Sequence, residues 1–215
     1  MNKDLISYYH QRAKEYERIY QKPERQEDLK ILHQLLSSAF PSQDVLEIGC
    51  GTGYWTPSLA KSVASILATD INESVLDIAR SKSYPTENVQ FMQMDMYNLP
   101  SEIQGKYSAF FAGFVWSHVK KADLSALLQS IHACLQPGSK VMWVDNQYVE
   151  GSNRPITYTD EGGNTYQSRN LDDGSEHLVL KNFPTDEECL ELLDGMAENI
   201  SIQRLEYYWV LRYEV

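Results

Sequence analysis

The chain has 215 residues, 42% of them hydrophobic, so it can bury a sizeable core and is not globally disordered. A net charge of −11 argues against nucleic-acid binding, which depends on Lys and Arg neutralising phosphates, and against an anionic membrane surface. The three cysteines are far apart and form no C-x-x-C pair, which indicates a reducing compartment with no disulfide framework and no metal site. Because the N-terminus lacks an apolar signal region and no stretch approaches roughly 18 apolar residues, a cytoplasmic protein is expected.

Residues 1–40 are predicted to form an N-terminal helical cap. A polar helix studded with tyrosines runs from Leu5 to about Tyr20, and a second helix with a stripe of leucines runs from Glu24 to Phe40. Pro23 suits the first turn of the second helix, where its missing amide hydrogen would have no partner.

Residues 44–146 alternate short apolar runs with helical stretches. The predicted strands are VLEIG, SILATD, VQFMQMD, YSAFFAGFV and KVMWVDN, and the predicted helices are PSLAKSVA, ESVLDIARSK and LSALLQSIHACL. The alternation predicts a parallel sheet covered by helices on both faces. The segment LQPGSK is interpreted as a helix stop followed by a turn into the fifth strand.

Residues 147–182 change character and alternate polar with apolar side chains around the turn signals EGGN and DDGS, which predicts antiparallel hairpins. Residues 183–215 then supply a helix from Asp186 to Ala197, capped by Thr185, and two C-terminal strands. The hairpin insert is interpreted as either a lid or a dimer interface.

The stretch VLEIGCGTGYWT, Val45 to Thr56, combines a buried strand, a glycine turn and the start of a helix. Such a turn builds a ligand crevice at the carboxyl end of a parallel sheet. No lysine follows, so the turn is not a Walker A loop, and the third glycine comes one residue too early, at Gly53, for the dinucleotide fingerprint. The acid Glu47 is unfavourable beside phosphates but suits a cationic ligand.

Two further acids follow predicted strands. Asp70 ends the second strand, where a carboxylate can accept hydrogen bonds from both hydroxyls of a ribose. Asp95 ends the third strand and can accept from the exocyclic amine of an adenine, while Met96 covers the ring. A cationic ligand with ribose and adenine but no phosphate is S-adenosylmethionine.

The glycine stretch with Glu47, then Asp70, then Asp95-Met96, then the LQPG turn resembles class I (Rossmann-like) S-adenosylmethionine-dependent methyltransferases, in particular the small-molecule branch. The resemblance covers about Asp44 to Asn146. It implies an α/β fold with a doubly wound, mostly parallel seven-stranded sheet, helices on both faces, an N-terminal helical cap and a β-hairpin insert after strand five. Residues 1–215 would form a single methyltransferase domain, with the two C-terminal strands completing the sheet.

The resemblance also implies roles for individual residues. The residues implied to bind S-adenosylmethionine are Glu47, Gly49, Gly51, Gly53, Asp70, Ile71, Asp95, Met96, Phe114, Arg12 and Tyr16. Within this set, the glycine backbone contacts the methionine moiety, Phe114 passes the sulfonium, and Arg12 reaches the cofactor carboxylate from the first helix.

The acceptor side carries weaker signals. His118, just past strand four, is the candidate general base because an imidazole titrates near working pH. The candidate acceptor contacts are Trp116, Asp145, Asn146, Tyr9 and Tyr166. The expected reaction is in-line methyl transfer to O or N of a small molecule, and the acidic surface favours a neutral or cationic acceptor. The protein is expected to be a monomer or homodimer that binds neither nucleic acid nor membrane.

Three alternatives remain open. A nicotinamide-dependent reductase is disfavoured by the glycine spacing and by the absence of a Tyr-x-x-x-Lys pair. A non-catalytic S-adenosylmethionine-binding regulatory module would keep the glycine turn but have its acceptor pocket blocked, which the hairpin insert could do. An aminopropyl transferase would need additional acids at the strand-four exit, where the chain has Trp116, Ser117 and His118.

Overall fold

The computed structural model describes residues 16–170 and 174–215, with only the backbone of Tyr16. Most of the predicted first helix, including Tyr9 and Arg12, therefore lies outside the described residues. The part that is described, Tyr16–Gln21, is a 3-10 helix. The second predicted helix is shorter than expected, because Pro23–Arg25 forms a 3-10 turn before the α-helix proper begins at Gln26.

Ten strands and five α-helices make up the regular structure of the described residues. The strands are β1 Asp44–Ile48, β2 Ser65–Asp70, β3 Val89–Gln93, β4 Tyr107–Gly113, β5 Leu135–Asn146, β6 Tyr158–Thr159, β7 Thr165–Asn170, β8 Glu176–Leu180, β9 Glu198–Arg204 and β10 Tyr208–Glu214. The helices are α1 Gln26–Leu36, α2 Thr56–Leu59, α3 Glu73–Arg80, α4 Lys121–His132 and α5 Asp186–Leu193.

The main sheet has seven strands in the order β3-β2-β1-β4-β5-β10-β9. Strands β1 to β5 pair in parallel, whereas β10 is antiparallel to both β5 and β9. The predicted fold class is therefore confirmed, including the closing pair of C-terminal strands. Two buried apolar clusters pack on the sheet, one of which contains Trp116, Trp143 and Trp209.

The register of the parallel strands positions the candidate site. Glu47 on β1 lies opposite Ala68 on β2 and Phe111 on β4, so these three strands end at the same edge. Their carboxyl ends bring the glycine turn, Asp70 and the exit of β4 together, as expected for a parallel sheet.

Two boundaries differ from prediction. Strand β5 begins at Leu135, so the LQPG segment belongs to the strand instead of forming a turn before it. The positive φ of Gly138, 78°, and a register shift between Tyr107 and Ala109 accommodate the extra residues as a bulge. Helix α2 covers only Thr56–Leu59 and is followed by turns that lead into β2 at Ser65.

The predicted hairpins form a separate three-stranded antiparallel sheet, β6-β7-β8, called here the small sheet. Helix α5 ends at Leu193, before the predicted Ala197, and begins with a capping box between Thr185 and Glu188. No helix among the described residues is long and apolar enough to cross a membrane.

Candidate functional site

The glycine turn between β1 and α2 has a backbone that only glycine adopts readily. Gly49, Gly51 and Gly53 have φ values of 69°, 55° and 72°. A Cβ atom at Gly49 would overlap Val115 Cγ2, and one at Gly53 would lie 2.6 Å from the Tyr84 hydroxyl oxygen. The turn is thus packed from two sides and held in one shape.

Asp70 holds this turn against the end of β2. Its Oδ2 accepts from the Gly51 amide at 3.1 Å and its Oδ1 accepts from the Asn72 amide at 2.9 Å. Burial raises the pKa of Asp70 to about 6, although these amides oppose the rise. A carboxylate has about four acceptor sites, so two remain for hydroxyl donors of a ligand. The adjacent Ile71 is partly buried, and its carbonyl accepts from the Gln93 side chain.

Glu47 lies beneath the turn and is 1% exposed. Thr56, the first residue of helix α2, donates from its Oγ1 to Glu47 Oε2 at 2.8 Å. This hydrogen bond connects the start of the helix to strand β1. Burial raises the pKa of Glu47 to about 8, so the acid is largely protonated at neutral pH. The side chain therefore supports the floor of the turn.

Asp95 and Met96 lie just beyond the end of β3, beside Asp70. The pairing of Asp70 with Gln93 places Asp95 two residues past the end of β3. Asp95 Oδ1 accepts from the Tyr97 amide at 3.0 Å, which fixes the carboxylate at the rim, and Met96 is buried next to it. Two carboxylates and an apolar side chain thus line neighbouring strand ends.

The exit of β4 is strained at Phe114, whose φ is 61° although it is not glycine. Such a conformation costs on the order of 1–3 kcal/mol and persists only where the surroundings enforce it. The Phe114 amide donates to the Val144 carbonyl at 2.7 Å, and its ring packs 5.8 Å from both Tyr20 and Trp55. The strain turns this aromatic ring into the crevice above the glycine turn.

The 3-10 helix Tyr16–Gln21 lies over the glycine turn. Thr52 Oγ1 donates to Glu17 at 2.7 Å, and Lys82 forms an ion pair with the same carboxylate. The ring of Tyr20 stacks on Tyr54 with centroids 3.6 Å apart. The described end of the cap thus covers the crevice, while the side chains of Tyr9, Arg12 and Tyr16 lie outside the described residues.

His118 ends a 3-10 turn, Trp116–His118, directly after the β4 exit. Its Nδ1 lies 2.7 Å from the Leu180 carbonyl oxygen. Because a carbonyl only accepts, Nδ1 carries the proton, and the lone pair of the neutral ring is on Nε2. Burial and the nearby Lys181 lower the pKa of His118 well below its ordinary value, so the ring is neutral.

Lys181 was not identified from the sequence. Its Nζ donates to Asp145 Oδ1 at 2.9 Å and to Ser117 Oγ at 2.6 Å, and all three groups are buried. Burial lowers the pKa of Lys181 to about 8. Although burial opposes its charge, Asp145 has a pKa below its ordinary value because Lys181 lies beside it. The network fixes the small sheet to the β4 and β5 exits.

The candidate acceptor contacts occupy different environments. Trp116 packs in the core against Trp143 and Trp209, with centroids 5.2 Å and 5.9 Å away, so its ring does not reach the crevice. Asp145 is 0% exposed and bonded to Lys181 and two backbone amides. Asn146 accepts from Arg25, a buried residue that the sequence analysis also missed.

A cavity of about 770 Å³ lies between helix α4 and the face of the small sheet that carries Tyr166 and Leu178. Ala122 and Ala126 on the helix face Tyr166 and Leu178 on the sheet, and Met96 and His118 contribute to the walls. The structure therefore brings His118, Met96 and Tyr166 to one open space, whose volume lies in the range of small-molecule sites. The Tyr166 hydroxyl donates to Asp160 Oδ2 at 3.0 Å.

Comparison of the sequence with known families and proteins finds methyltransferases. Residues 45–138 match the profile of a family described as a methyltransferase domain. A demethylmenaquinone methyltransferase of Staphylococcus saprophyticus is 29% identical over 103 residues, which cover 46% of this chain and 43% of that protein. A ubiquinone biosynthesis O-methyltransferase of Acinetobacter baylyi is 27% identical over 101 residues, covering 46% of this chain and 42% of that protein. The chain thus spans less than half the length of these relatives.

Comparison of structures finds the same fold over almost the whole chain. The DhpI–SAM–HEP complex superposes with a TM-score of 0.80 at 24% identity and covers 99% of both chains. The DhpI–SAH complex superposes with a TM-score of 0.78 at 24% identity, covering 98% of this chain and 94% of the other. At this level of identity the agreement concerns the fold.

Proposed function

We propose that this chain, a member of the class I Rossmann-like S-adenosylmethionine-dependent methyltransferases, transfers a methyl group from S-adenosylmethionine to an oxygen or nitrogen atom of a small molecule. The observation that carries the proposal is the glycine turn, whose left-handed backbone is tied to the Asp70 carboxylate at the carboxyl end of the sheet. The names of the relatives, which include a demethylmenaquinone methyltransferase and an O-methyltransferase, support a small acceptor.

The residues around the turn fit the adenosine part of this cofactor. Asp70 retains acceptor sites for ribose hydroxyls, and Asp95 Oδ2 accepts from no described residue and is available to an amine. The Trp55 Nε1–H, buried beside Gly113, also has no partner among the described residues. Buried donors without partners are rare in folded proteins, so this one is consistent with a bound ligand.

When bound, S-adenosylmethionine supplies a methyl group already activated by its sulfonium. The protein then needs mainly to hold the acceptor atom close and in line. His118 is our candidate for taking a proton from an acceptor that carries one, because burial keeps its ring neutral. Phe114, forced into the crevice by its backbone strain, orients the reacting groups and excludes water.

The similarity to proteins named as methyltransferases favours an enzyme over a non-catalytic binding module. The nicotinamide-dependent alternative has less support because the third glycine of the turn is Gly53, one residue too early for the dinucleotide fingerprint.

Calorimetric titration with S-adenosylmethionine and S-adenosylhomocysteine tests the cofactor assignment. We expect micromolar binding of both, weakened at least about tenfold by Asp70→Ala, since two charge-assisted hydrogen bonds to ribose would be lost. Asp77→Ala, which removes an exposed acid from helix α3, is the matched control and should leave both affinities unchanged. Absence of binding to the folded wild-type protein would refute the proposed function.

A further inference from the structure

We propose that the acceptor carries a compact oxyanion, either a carboxylate or a phosphoryl group, held at the β4 exit by Arg169, Arg25 and Lys181. This inference rests on the proposed function, because it names the class of molecule that would be methylated. The supporting observations are three cationic side chains near the exit, with Arg25 and Lys181 buried and Arg169 partly buried, and two buried donors that have no acceptor among the described residues.

Arg169 lies on the face of the small sheet opposite to the one that carries Tyr166 and Leu178. It alternates with Ser168 along β7, so it shares a face with Gln167, whose Oε1 accepts from Arg169 Nη2 at 3.0 Å. The Arg169 Nε–H is buried and has no acceptor among the described residues. Arg169 also shares this face with Lys181, because Lys181 follows β8 and its amide donates to the Thr165 carbonyl of β7. Its charge lowers the pKa of both Lys181 and His118.

Arg25 approaches the same region from the opposite side. It is 1% exposed, and its guanidinium lies 5.4 Å and 5.5 Å from the ring centroids of Tyr207 and Tyr208. Its hydrogen-bond acceptors are the neutral side chains of Asn146 and Ser152. The buried carboxylate of Asp28 accepts from the Tyr207 amide instead.

Lys181 has a carboxylate partner, Asp145, so this pair is neutral overall. Neither arginine forms an ion pair with a described residue. Arg25 is linked to the Glu24 carboxylate through Ser152, whose hydroxyl donates to Glu24 Oε1 at 3.1 Å. The ring of Phe114 joins the groups, lying 6.0 Å from Lys181 Nζ and 5.6 Å from the Tyr208 ring. The hydrogen of the buried Tyr208 hydroxyl also finds no acceptor in the described part of the chain.

Buried charges are normally paired, and buried donors are normally bonded, because leaving either unsatisfied costs free energy. The groups without a partner at this exit are donors, and the side chains around them are cationic, so a ligand that completes the site must supply acceptors, and negative charge on it is favoured. A carboxylate or phosphoryl group does both and forms charge-assisted, bidentate bonds with a guanidinium. The acidic surface predicts a neutral or cationic acceptor, but the charges at the site itself outweigh a net charge spread over the surface.

Calorimetry on the full chain saturated with S-adenosylhomocysteine tests the inference, using inorganic phosphate, acetate and ethylammonium as separate probes at low salt. We expect phosphate or acetate to bind and ethylammonium not to bind, and the tighter anion identifies the phosphoryl or carboxylate class. Arg169→Gln should weaken anion binding about tenfold or more while leaving S-adenosylhomocysteine binding unchanged. Arg154→Gln, on the exposed part of the same insert, should change neither.

A second variant, Tyr208→Phe, removes only the hydroxyl that lacks an acceptor, so it should fold normally and still weaken the anion. The inference is overturned if neither anion binds more tightly than ethylammonium, or if the Arg169 and Arg154 variants behave alike. If the wild-type protein does not bind S-adenosylhomocysteine at all, the proposed function is refuted instead, so the two failures are distinguishable.

Discussion

At the scale of single residues, the site contains two acids whose environments differ. Glu47 is enclosed, with one hydroxyl as its partner, and its pKa rises to about 8. Asp70 is also desolvated, but two backbone amides donate to it and limit the rise of its pKa to about 6. At neutral pH Asp70 is therefore mainly an anion suited to accepting hydroxyl donors, whereas Glu47 is mainly a neutral acid suited to a structural role.

Glu47→Gln should make the ligand-free protein more stable than wild type at alkaline pH. Because the folded-state pKa of Glu47 is raised, its contribution is fully present below its ordinary pKa and is lost as pH rises through about 8. The difference in free energy of unfolding should grow by roughly 1 kcal/mol per pH unit in that window. Urea unfolding between about pH 5 and about pH 9 measures it. Glu102→Gln, an exposed control, should show no such trend. If the free energy of unfolding depends on pH in the same way for wild type and Glu47→Gln, burial does not raise the pKa of Glu47.

At the scale of elements, the glycine turn makes a prediction about backbone and packing. Gly49→Ala should destabilise the protein more than Gly105→Ala, although both glycines have positive φ. A Cβ at Gly105 meets nothing within 4 Å, so that change costs only about 1 kcal/mol of backbone strain. A Cβ at Gly49 also overlaps Val115, which adds an overpacking cost of about 1–3 kcal/mol. Urea unfolding measures the free energy of unfolding of both variants. Equal destabilisation would show that the Val115 side chain moves aside without cost.

The attachment of the small sheet makes a second prediction. Lys181→Met should cost about 3–5 kcal/mol, because it leaves the buried Asp145 carboxylate without its cation. Adding Asp145→Asn removes that charge while keeping an acceptor for the Ser117 amide, so the double variant should regain part of the loss at neutral pH. A double-mutant cycle from urea unfolding measures the coupling, and strict additivity would mean that the pair does not interact.

These elements also show what the sequence could and could not predict. The glycine turn and Asp70 were predictable, because each depends on a strand end and on residues close by in the chain. Lys181 and Arg25 were not, since their partners Asp145 and Asn146 lie 36 and 121 residues away, and only the folded small sheet and cap bring them together. Trp116 was expected at the acceptor, but the 3-10 turn rotates its ring into the core.

At the scale of the whole molecule, the fold agrees with solved methyltransferase structures even though only 24% of residues are identical in the DhpI complexes. Alternating apolar strands and helices specify such a sheet without requiring particular side chains, so the architecture was predictable from the sequence. The charge distribution was not. The net charge of −11 gives no indication of the buried cations Arg25 and Lys181, which the fold brings to the ends of β4 and β5.

The central claim is methyl transfer to a small molecule, and the most direct test is to quantify S-adenosylhomocysteine by mass spectrometry. The protein would be incubated with S-adenosylmethionine and, separately, with the low-molecular-weight and macromolecular fractions of a cell extract. Our account predicts that S-adenosylhomocysteine accumulates with the low-molecular-weight fraction, in step with one newly methylated compound, and that Asp70→Ala reduces both when S-adenosylmethionine is not saturating. Product formed only with the macromolecular fraction, or none from a protein that binds the cofactor, would contradict it.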